Sequence, residues 1–291
     1  LRFLSQGDIN ETRIIQDEIR GQVIIHPNNI DVVLLKVDGI PTYHFAHVVD
    51  DHLMRTTHVV RGEEWLSSLP IHVELFELMG WELPIYCHTA HLMKMDEGGK
   101  KRKLSKRKDP ELSLDYYRQD GYFPQAVREY LMTVLNSNFE EWRIANPDAD
   151  VEEFEFSAEK MSSSGALFDL VKLHDVCKDV LVKLPADEIF DFMTDWAEKY
   201  RSELYPIFAE NREYIIKILD IGRSGDKPRK DLIYASQIFE FIKYFFDEYF
   251  VIEDKLPENV PQEDVKPILE GYLASYNHSD DRSEWFDKIR M

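Results

Sequence analysis

The hydrophobic pattern of this chain changes period once, near Pro110, and that change limits the fold more than any other feature. From Arg20 to Val37, "RGQVIIHPNNIDVVLLKV" reads as two β-branched strands broken by the turn cluster His26-Pro27-Asn28-Asn29. "THVV" reads as a short buried strand flanked by charge. "SLPIHVELFELMGW" predicts a helix, with Ile71, Leu75, Leu78 and Met79 on one face, Pro70 near the first helical position and Gly80 where a C-cap belongs. Strand and helix in alternation from about residue 20 to 95 predict a mainly parallel α/β sheet. Past Pro110 the segments turn amphipathic, from "SLDYYRQDGY" and "PQAVREYLMTVL" through "GALFDLVKLHDVCKDVLVKL" to "DVKPILEGYLASY". They predict an all-α second half, with polar linkers near Asn146 to Glu155 and at Gly222 to Lys230. No fixed period recurs, so a regular solenoid is not indicated.

With 291 residues, 44% of them hydrophobic, the chain can build more than one core. Its 55 acidic against 35 basic residues give a formal net charge of −20, which repels DNA and anionic membranes as a whole. A polyanion must therefore meet a local patch. Cys87 and Cys177 form no CxxC and no recurrent spacing, so neither a disulfide framework nor a thiolate zinc site is expected, and a reducing cytoplasm fits. No apolar run approaches the roughly 18 to 20 residues that span a bilayer. The chain opens on a strand-like "LRFL" and stops at "SEWFDKIRM" without a C-cap signal, which leads us to expect a fragment of a longer chain.

Three groups of residues could carry chemistry. Lys94, Lys100, Lys101, Arg102, Lys103, Lys106, Arg107 and Lys108 crowd one segment, with Gly98-Gly99 giving the backbone freedom to close over a ligand. Such a loop can neutralise charge on transferring phosphates, or it can be a solvated cationic loop. "YHFAHVVDDH" gathers His44, His47, Asp50, Asp51 and His52, with His58 beyond, a set compatible with a metal-dependent phosphohydrolase or with backbone capping. Tyr43 and Arg61 fall at the ends of two predicted core strands, where residues line the ligand crevice of an open α/β sheet. An Arg there suits a carboxylate, or pairs with Glu63 or Glu64.

Read in order, "DGIPTYHFAHVVDDHLMRTTHVVRGEEWLSSLPIHVELFELMGW" followed by "KRKLSKRK" resembles the bacterial glutamyl-tRNA synthetases, class I enzymes, from about residue 31 to 135 and more loosely through "GALFDLVKLHDVC". The resemblance implies glutamyl-adenylate formation from L-glutamate and ATP with Mg²⁺, then transfer to the tRNA for glutamate, with no tightly bound metal. "KLSK" is similar to the family's KMSKS motif, which makes Lys106 the principal phosphate contact, supported by Lys103 and Ser105, with Arg107 in place of the final Ser. By the same carry-over Tyr43, His47 and Arg61 hold glutamate, His47 standing where relatives can carry Asn, and Arg61 disfavours glutamine. Glu64, Trp65 and the backbone near Leu92 line the ATP crevice.

The implied organisation is the tail of an acceptor-stem insertion over 1–30 and the second half of a Rossmann-type parallel sheet over 31–110. A helical stem-contact junction over 111–180 and an α-helical anticodon-binding domain over 181–291 follow, the last truncated. That helical character favours the bacterial glutamyl type over the glutaminyl type, whose anticodon domains are β-barrels. Arg223, Lys227, Arg229 and Lys230, in a second basic loop, are candidate tRNA phosphate contacts, or an ordinary helix connection. The family's HIGH-like motif is absent from these residues, so the chain by itself is expected not to activate glutamate, and a noncatalytic tRNA-binding module is the alternative.

Overall fold

The strand pattern of the first half becomes β1 (Arg13–Asp17), β2 (Gly21–Ile25), β3 (His58–Gly62) and β4 (Ile85–Thr89) in a computed structural model that describes residues 1–223, 225, 227–251 and 261–290. They form one sheet in the order β2-β1-β4-β3. β1 and β2 are an antiparallel hairpin turning at Gly21, whose φ of +71° suits glycine. β3 and β4 run parallel, from His58 opposite Ile85 to Gly62 opposite Thr89, and β1 joins β4 in parallel through Asp17 and Tyr86. A parallel pair needs a crossover, and α2 (Leu69–Leu78) supplies it between β3 and β4. The other helix of this half, α1 (Tyr43–Met54), ends at Arg55 in the left-handed region, with its N–H on Asp51 O and His52 O.

Two cores hold these layers. Phe3, Leu34, Val48, Leu75 and Phe76 pack together beneath α1 and α2, with Trp81 against them. Ile25, Leu69, Val73 and Tyr86 join α2 to the sheet. Each aliphatic side chain buried in this way stabilises the fold by about 1.5–3 kcal/mol relative to exposure.

Several local expectations are revised. "RIIQD", which alternates too briefly to stand out, is a full strand. The run after His26 makes only isolated bridges, Val33 to Arg2 and Leu35 to Pro41, because the loop that follows turns back at Gly39. "THVV" is not buried: β3 ends the sheet and Val60 is 65% exposed. Tyr43 starts a helix and does not end a strand. On α2, Leu75 is buried, but Leu78 and Met79 are exposed, since the core face runs through Leu69, His72, Val73 and Phe76.

A second, smaller sheet, β6-β5-β7, is built from β5 (Leu92–Met95), β6 (Lys101–Lys103) and β7 (Ala166–Leu167). β5 and β6 are antiparallel, and β7, from a segment expected to be wholly helical, pairs parallel with Leu92 and Met93. The second half is otherwise helical: α3 (Leu114–Asp120), α4 (Pro124–Leu135), α5 (Phe139–Ala145), α6 (Leu170–Leu181), α7 (Ala186–Tyr200), α8 (Tyr205–Glu210), α9 (Arg212–Asp220) and α10 (Ala235–Ile242). α5 and α8 were not foreseen; each has fewer than two full apolar periods.

The chain divides into two units, Leu1–Phe241 and Ile242–Met291. In the second, α11 (Gln262–Ser275) and α12 (Arg282–Ile289) are linked by a Trp285 Nε1 bond to Tyr272 Oη at 3.1 Å. Asp281 and Glu284 close a capping box on α12.

Candidate active site

Arg61 lies one residue from the end of β3, and almost everything around it is an aromatic or imidazole ring. Its Nε donates to His88 Nε2 at 3.0 Å and its Nη1 to His72 Nδ1 at 3.1 Å. The guanidinium lies 4.9 Å from the Tyr86 ring centre and 5.9 Å from that of Trp65. Nη2 is buried and has no hydrogen-bond partner. A buried cationic donor without a partner is costly, and an acceptor beside this atom would complete its hydrogen bonding.

The two histidines come from elements chosen for packing. His72 is on the buried face of α2, one position from Val73, and His88 is in the inner strand β4; neither is exposed. His88 Nδ1 meets Asp17 Oδ2 at 2.6 Å, and His72 Nε2 meets His44 Nδ1 at 2.9 Å. Burial, above all, holds His72 uncharged, its value pushed down to about 2, with His47 and Arg61 adding to the effect. Burial likewise lowers His44, His47 and His88. The imidazoles around the guanidinium are therefore neutral.

Tyr43 and His47, one turn apart at the start of α1, form a wall of this pocket. Their rings stack at 5.8 Å with 3° between planes, and Tyr43 packs on Trp65 at 4.4 Å. His47 Nδ1 lies 2.6 Å from Asp51 Oδ2 along the helix, and Nε2 faces Tyr86 Oη at 3.4 Å. The sequence grouped Tyr43, His47 and Arg61, which the structure brings together; Trp65, expected along the ATP crevice, packs against Tyr43 and Arg61 in the same pocket. The sequence did not locate Asp17, His72, Tyr86 or His88; the legible signal was a histidine on the apolar stripe of α2 and another inside "IYCHT".

The lysine loop follows β6. Gly98 and Gly99 lie in the β5–β6 turn, where Asp96 Oδ1 accepts from the Gly98 and Lys100 N–H groups. Much of the local charge is internally paired. Lys94 bonds Glu111, and Arg102 bonds Asp109 through two contacts. Lys103 Nζ is 3.0 Å from His91 Nε2, and the Ser105 N–H bonds Asp109 Oδ2 at 2.8 Å. Lys106, Arg107 and Lys108 occupy an exposed turn, and no described residue pairs with them. The Arg102 guanidinium, then the Ser105 N–H, hold the Asp109 carboxyl well below the usual range. Leu104, buried beneath the loop, bonds the Leu92 carbonyl at 3.0 Å, so that carbonyl is engaged inside the sheet. Glu64 lies 3.6 Å from His91 in the short 3₁₀ turn that also carries Trp65.

The other candidates are scattered. Arg223 is turned inward, its Nη2 donating to Leu181 O at 2.5 Å and Leu184 O at 2.6 Å, so it caps the end of α6. Lys230 bonds Asp179 at 2.8 Å, and Arg229 Nε is 2.8 Å from Asp231 without hydrogen-bond geometry. Lys227 is exposed. Among the described residues no group of three His, Cys, Asp or Glu side chains converges to hold a metal ion. Of the rival phosphohydrolase set, His52 stacks on Trp81 at 3.9 Å and His58 bonds Thr57, apart from His44 and His47 in the Arg61 pocket. Nor is any helix among the described residues long and apolar enough to cross a membrane.

Known proteins share this arrangement of sequence and fold. The glutamate–tRNA ligase of Acetivibrio thermocellus is 64% identical over 291 residues, covering 100% of this chain and 53% of that protein. That of Clostridium perfringens strain 13 is 48% identical over 294 residues, covering 100% of this chain and 54% of its own length. The crystal structure of a glutamate tRNA ligase from Elizabethkingia meningosepticum in complex with its amino acid superposes with a TM-score of 0.66 at 25% identity, over 98% of this chain and 57% of that one. This chain spans about half the length of the curated relatives it matches. Residues 2–175 match the family model for tRNA synthetases class I (E and Q), catalytic domain, and the chain belongs to that family.

Proposed function

We propose that this chain is the part of a glutamate–tRNA ligase that grips the glutamate side chain and the ATP phosphates. The observation that carries the reading is the buried, unpartnered Nη2 of Arg61. A side-chain carboxylate there completes the guanidinium's hydrogen bonds and neutralises its charge, while the amide of glutamine offers no neutralisation. Tyr43 and His47 line the rest of the amino-acid pocket, and Trp65 closes it against the guanidinium.

In the reaction so assigned, an oxygen of the substrate α-carboxylate attacks the α-phosphorus of ATP. The bond to the bridging oxygen breaks and pyrophosphate leaves with the electron pair. Lys106, free of described partners, meets the developing charge, with Lys103 and Ser105 beside it. Glu64, Trp65 and the strand at Leu92 border the nucleotide. Mg²⁺ would arrive on the ATP phosphates. The protein supplies position and charge, and no side chain acts as nucleophile. The glutamyl group then passes to the terminal ribose of a glutamate tRNA, which the helical half contacts in the cytoplasm. Within that half we assign 111–180 to the stem contact and 181–291 to the anticodon side, and Lys227 is the best placed of the four loop cations to meet a phosphate.

The test is glutamate-dependent ATP–pyrophosphate exchange in a protein of the relatives' full length that carries this sequence. Arg61→Ala is expected to raise the glutamate KM by about 100-fold, the cost of losing a buried charge-assisted contact, with the ATP KM unchanged. An unchanged glutamate KM overturns the reading.

A further inference from the structure

Arg61 is held by acceptors that are acceptors only in one protonation pattern. Arginine has five N–H donors and no lone pair to offer, so every partner of its guanidinium must accept. His88 Nε2 and His72 Nδ1 are those partners, at 3.0 and 3.1 Å. A neutral imidazole has one accepting nitrogen, and which one it is depends on where the other nitrogen's proton is bound.

For His88 that choice is made by Asp17. The Asp17 carboxylate is wholly buried in β1 and takes the His88 ring at 2.6 Å, the His88 N–H at 3.1 Å, and the Ile19 and Arg20 N–H groups at 3.0 and 2.9 Å. As an acceptor it requires the proton on Nδ1 of His88, which leaves the Nε2 lone pair for Arg61. On the other side, Arg61 takes Nδ1 of His72, which puts the His72 proton on Nε2 and directs it to His44 Nδ1 at 2.9 Å. The protons point outward from the guanidinium on both sides, through His88 to Asp17 and through His72 to His44.

We infer that Asp17 is a positioning residue for the glutamate-binding arginine: through His88 it fixes the tautomer that holds the Arg61 guanidinium with Nη2 turned to the ligand. This rests on the assignment of Arg61 to glutamate. An amide in place of the Asp17 carboxylate keeps its oxygen for the Ile19 and Arg20 N–H groups and presents N–H to His88 Nδ1. That moves the histidine proton to Nε2, where it faces the Arg61 Nε–H, and two donors oppose each other.

Asp17→Asn is therefore expected to raise the glutamate KM by about 10- to 100-fold, as for loss of a hydrogen bond to a charged group, with the ATP KM unchanged. His88→Gln presents an oxygen near the Nε2 position and needs no tautomer, so it is expected to keep the glutamate KM within several-fold, and adding Asp17→Asn to it should change that KM no further. In the wild-type protein labelled with ¹⁵N-histidine, long-range proton–nitrogen spectra are expected to show His88 protonated on Nδ1 and His72 on Nε2, a readout that stands even where the Asn variant fails to fold. The opposite tautomer at His88, a glutamate KM unchanged in Asp17→Asn, or equal rises in both KM values overturns the inference. If Arg61→Ala leaves the glutamate KM unchanged while the tautomers are as stated, the assignment of glutamate fails and the proton order survives.

Discussion

Arg102 closes a two-point ion pair on Asp109, Nη1 to Oδ2 at 2.7 Å and Nη2 to Oδ1 at 2.6 Å, across the base of the turn that presents Lys106. The same carboxylate accepts the Ser105 N–H, so one buried group anchors both limbs of the loop. Asp109→Ala is expected to loosen the turn without unfolding the protein. Trypsin should then cut after Lys106, Arg107 or Lys108 several-fold faster than in wild type, at an unchanged melting temperature elsewhere in the chain. The anchor's pH response follows from its lowered carboxyl: it is fully present above the ordinary value of 3.8 and is lost as pH falls through the depressed one. Tryptic sensitivity of the wild-type loop should accordingly be flat from pH 5 to 8, apart from the protease's own profile.

Lys106 is expected to separate catalysis from stability. It is exposed and no described residue pairs with it, so Lys106→Ala should shift unfolding by no more than about 0.5 kcal/mol. ATP–pyrophosphate exchange in the full-length protein should fall by about 10²- to 10³-fold, the scale of losing one donor to developing charge. Activity within threefold of wild type would remove Lys106 from the phosphate site.

His72 makes stability depend on pH in a stated direction. Its folded value is about 2 against an ordinary 6.5, so the unfolded chain binds the proton that the folded chain refuses. The stabilisation is complete above pH 6.5 and is lost as pH falls, by about 1.4 kcal/mol for each unit below 6.5 while the folded ring stays neutral. Urea unfolding at pH 7 and pH 5.5 is the measurement, together with an NMR titration in which the His72 ring shows no protonation between pH 5 and 8. A ring that titrates near 6.5 would show that its partners do not enforce the neutral form.

The two leucines at the end of α2 test which face of that helix is core. Leu75→Ala removes a fully buried side chain and should cost about 2–5 kcal/mol in chemical denaturation. Leu78→Ala, at a side chain 64% exposed, should cost less than about 0.5 kcal/mol.

That pair also shows how far the sequence could be read. Period and caps gave α2 its existence and its ends, because Pro70 and Gly80 act through the local backbone. They did not give its buried face, because His72 occupies an apolar stripe position and a hydrophobic count skips it. The same blindness hid the pocket's support. Arg61, Tyr43 and Trp65 were legible by resemblance, whereas Asp17, Tyr86 and His88 come from strands whose pairing brings them together over some 70 residues of chain, and no local pattern encodes that. Gly98-Gly99 marks a turn, and a turn glycine looks alike in a hairpin and in a ligand-closing loop. Composition left the second basic loop open between a phosphate contact and a helix connection, since charge in a list of residues says nothing about which way a guanidinium turns.

Arg223 and Lys227 make that last point measurable. The Arg223 guanidinium is part-buried, with two carbonyls at the end of α6 as its acceptors, and burial lowers its value from the ordinary one. Arg223→Ala takes its donor from the Leu184 carbonyl, while Leu181 O keeps the Leu184 N–H, and should destabilise the helical half by about 1–3 kcal/mol, read by thermal or urea unfolding. Lys227→Ala, at an exposed side chain, should leave unfolding unchanged. If Lys227 meets a tRNA phosphate, its loss should weaken binding to a glutamate tRNA about equally for normal and altered anticodons. It should also lower the slope of log affinity against log salt by about one. An unchanged salt slope would make the segment a helix connection whose cations serve the fold, Arg223 as a cap and Lys230 as the partner of Asp179.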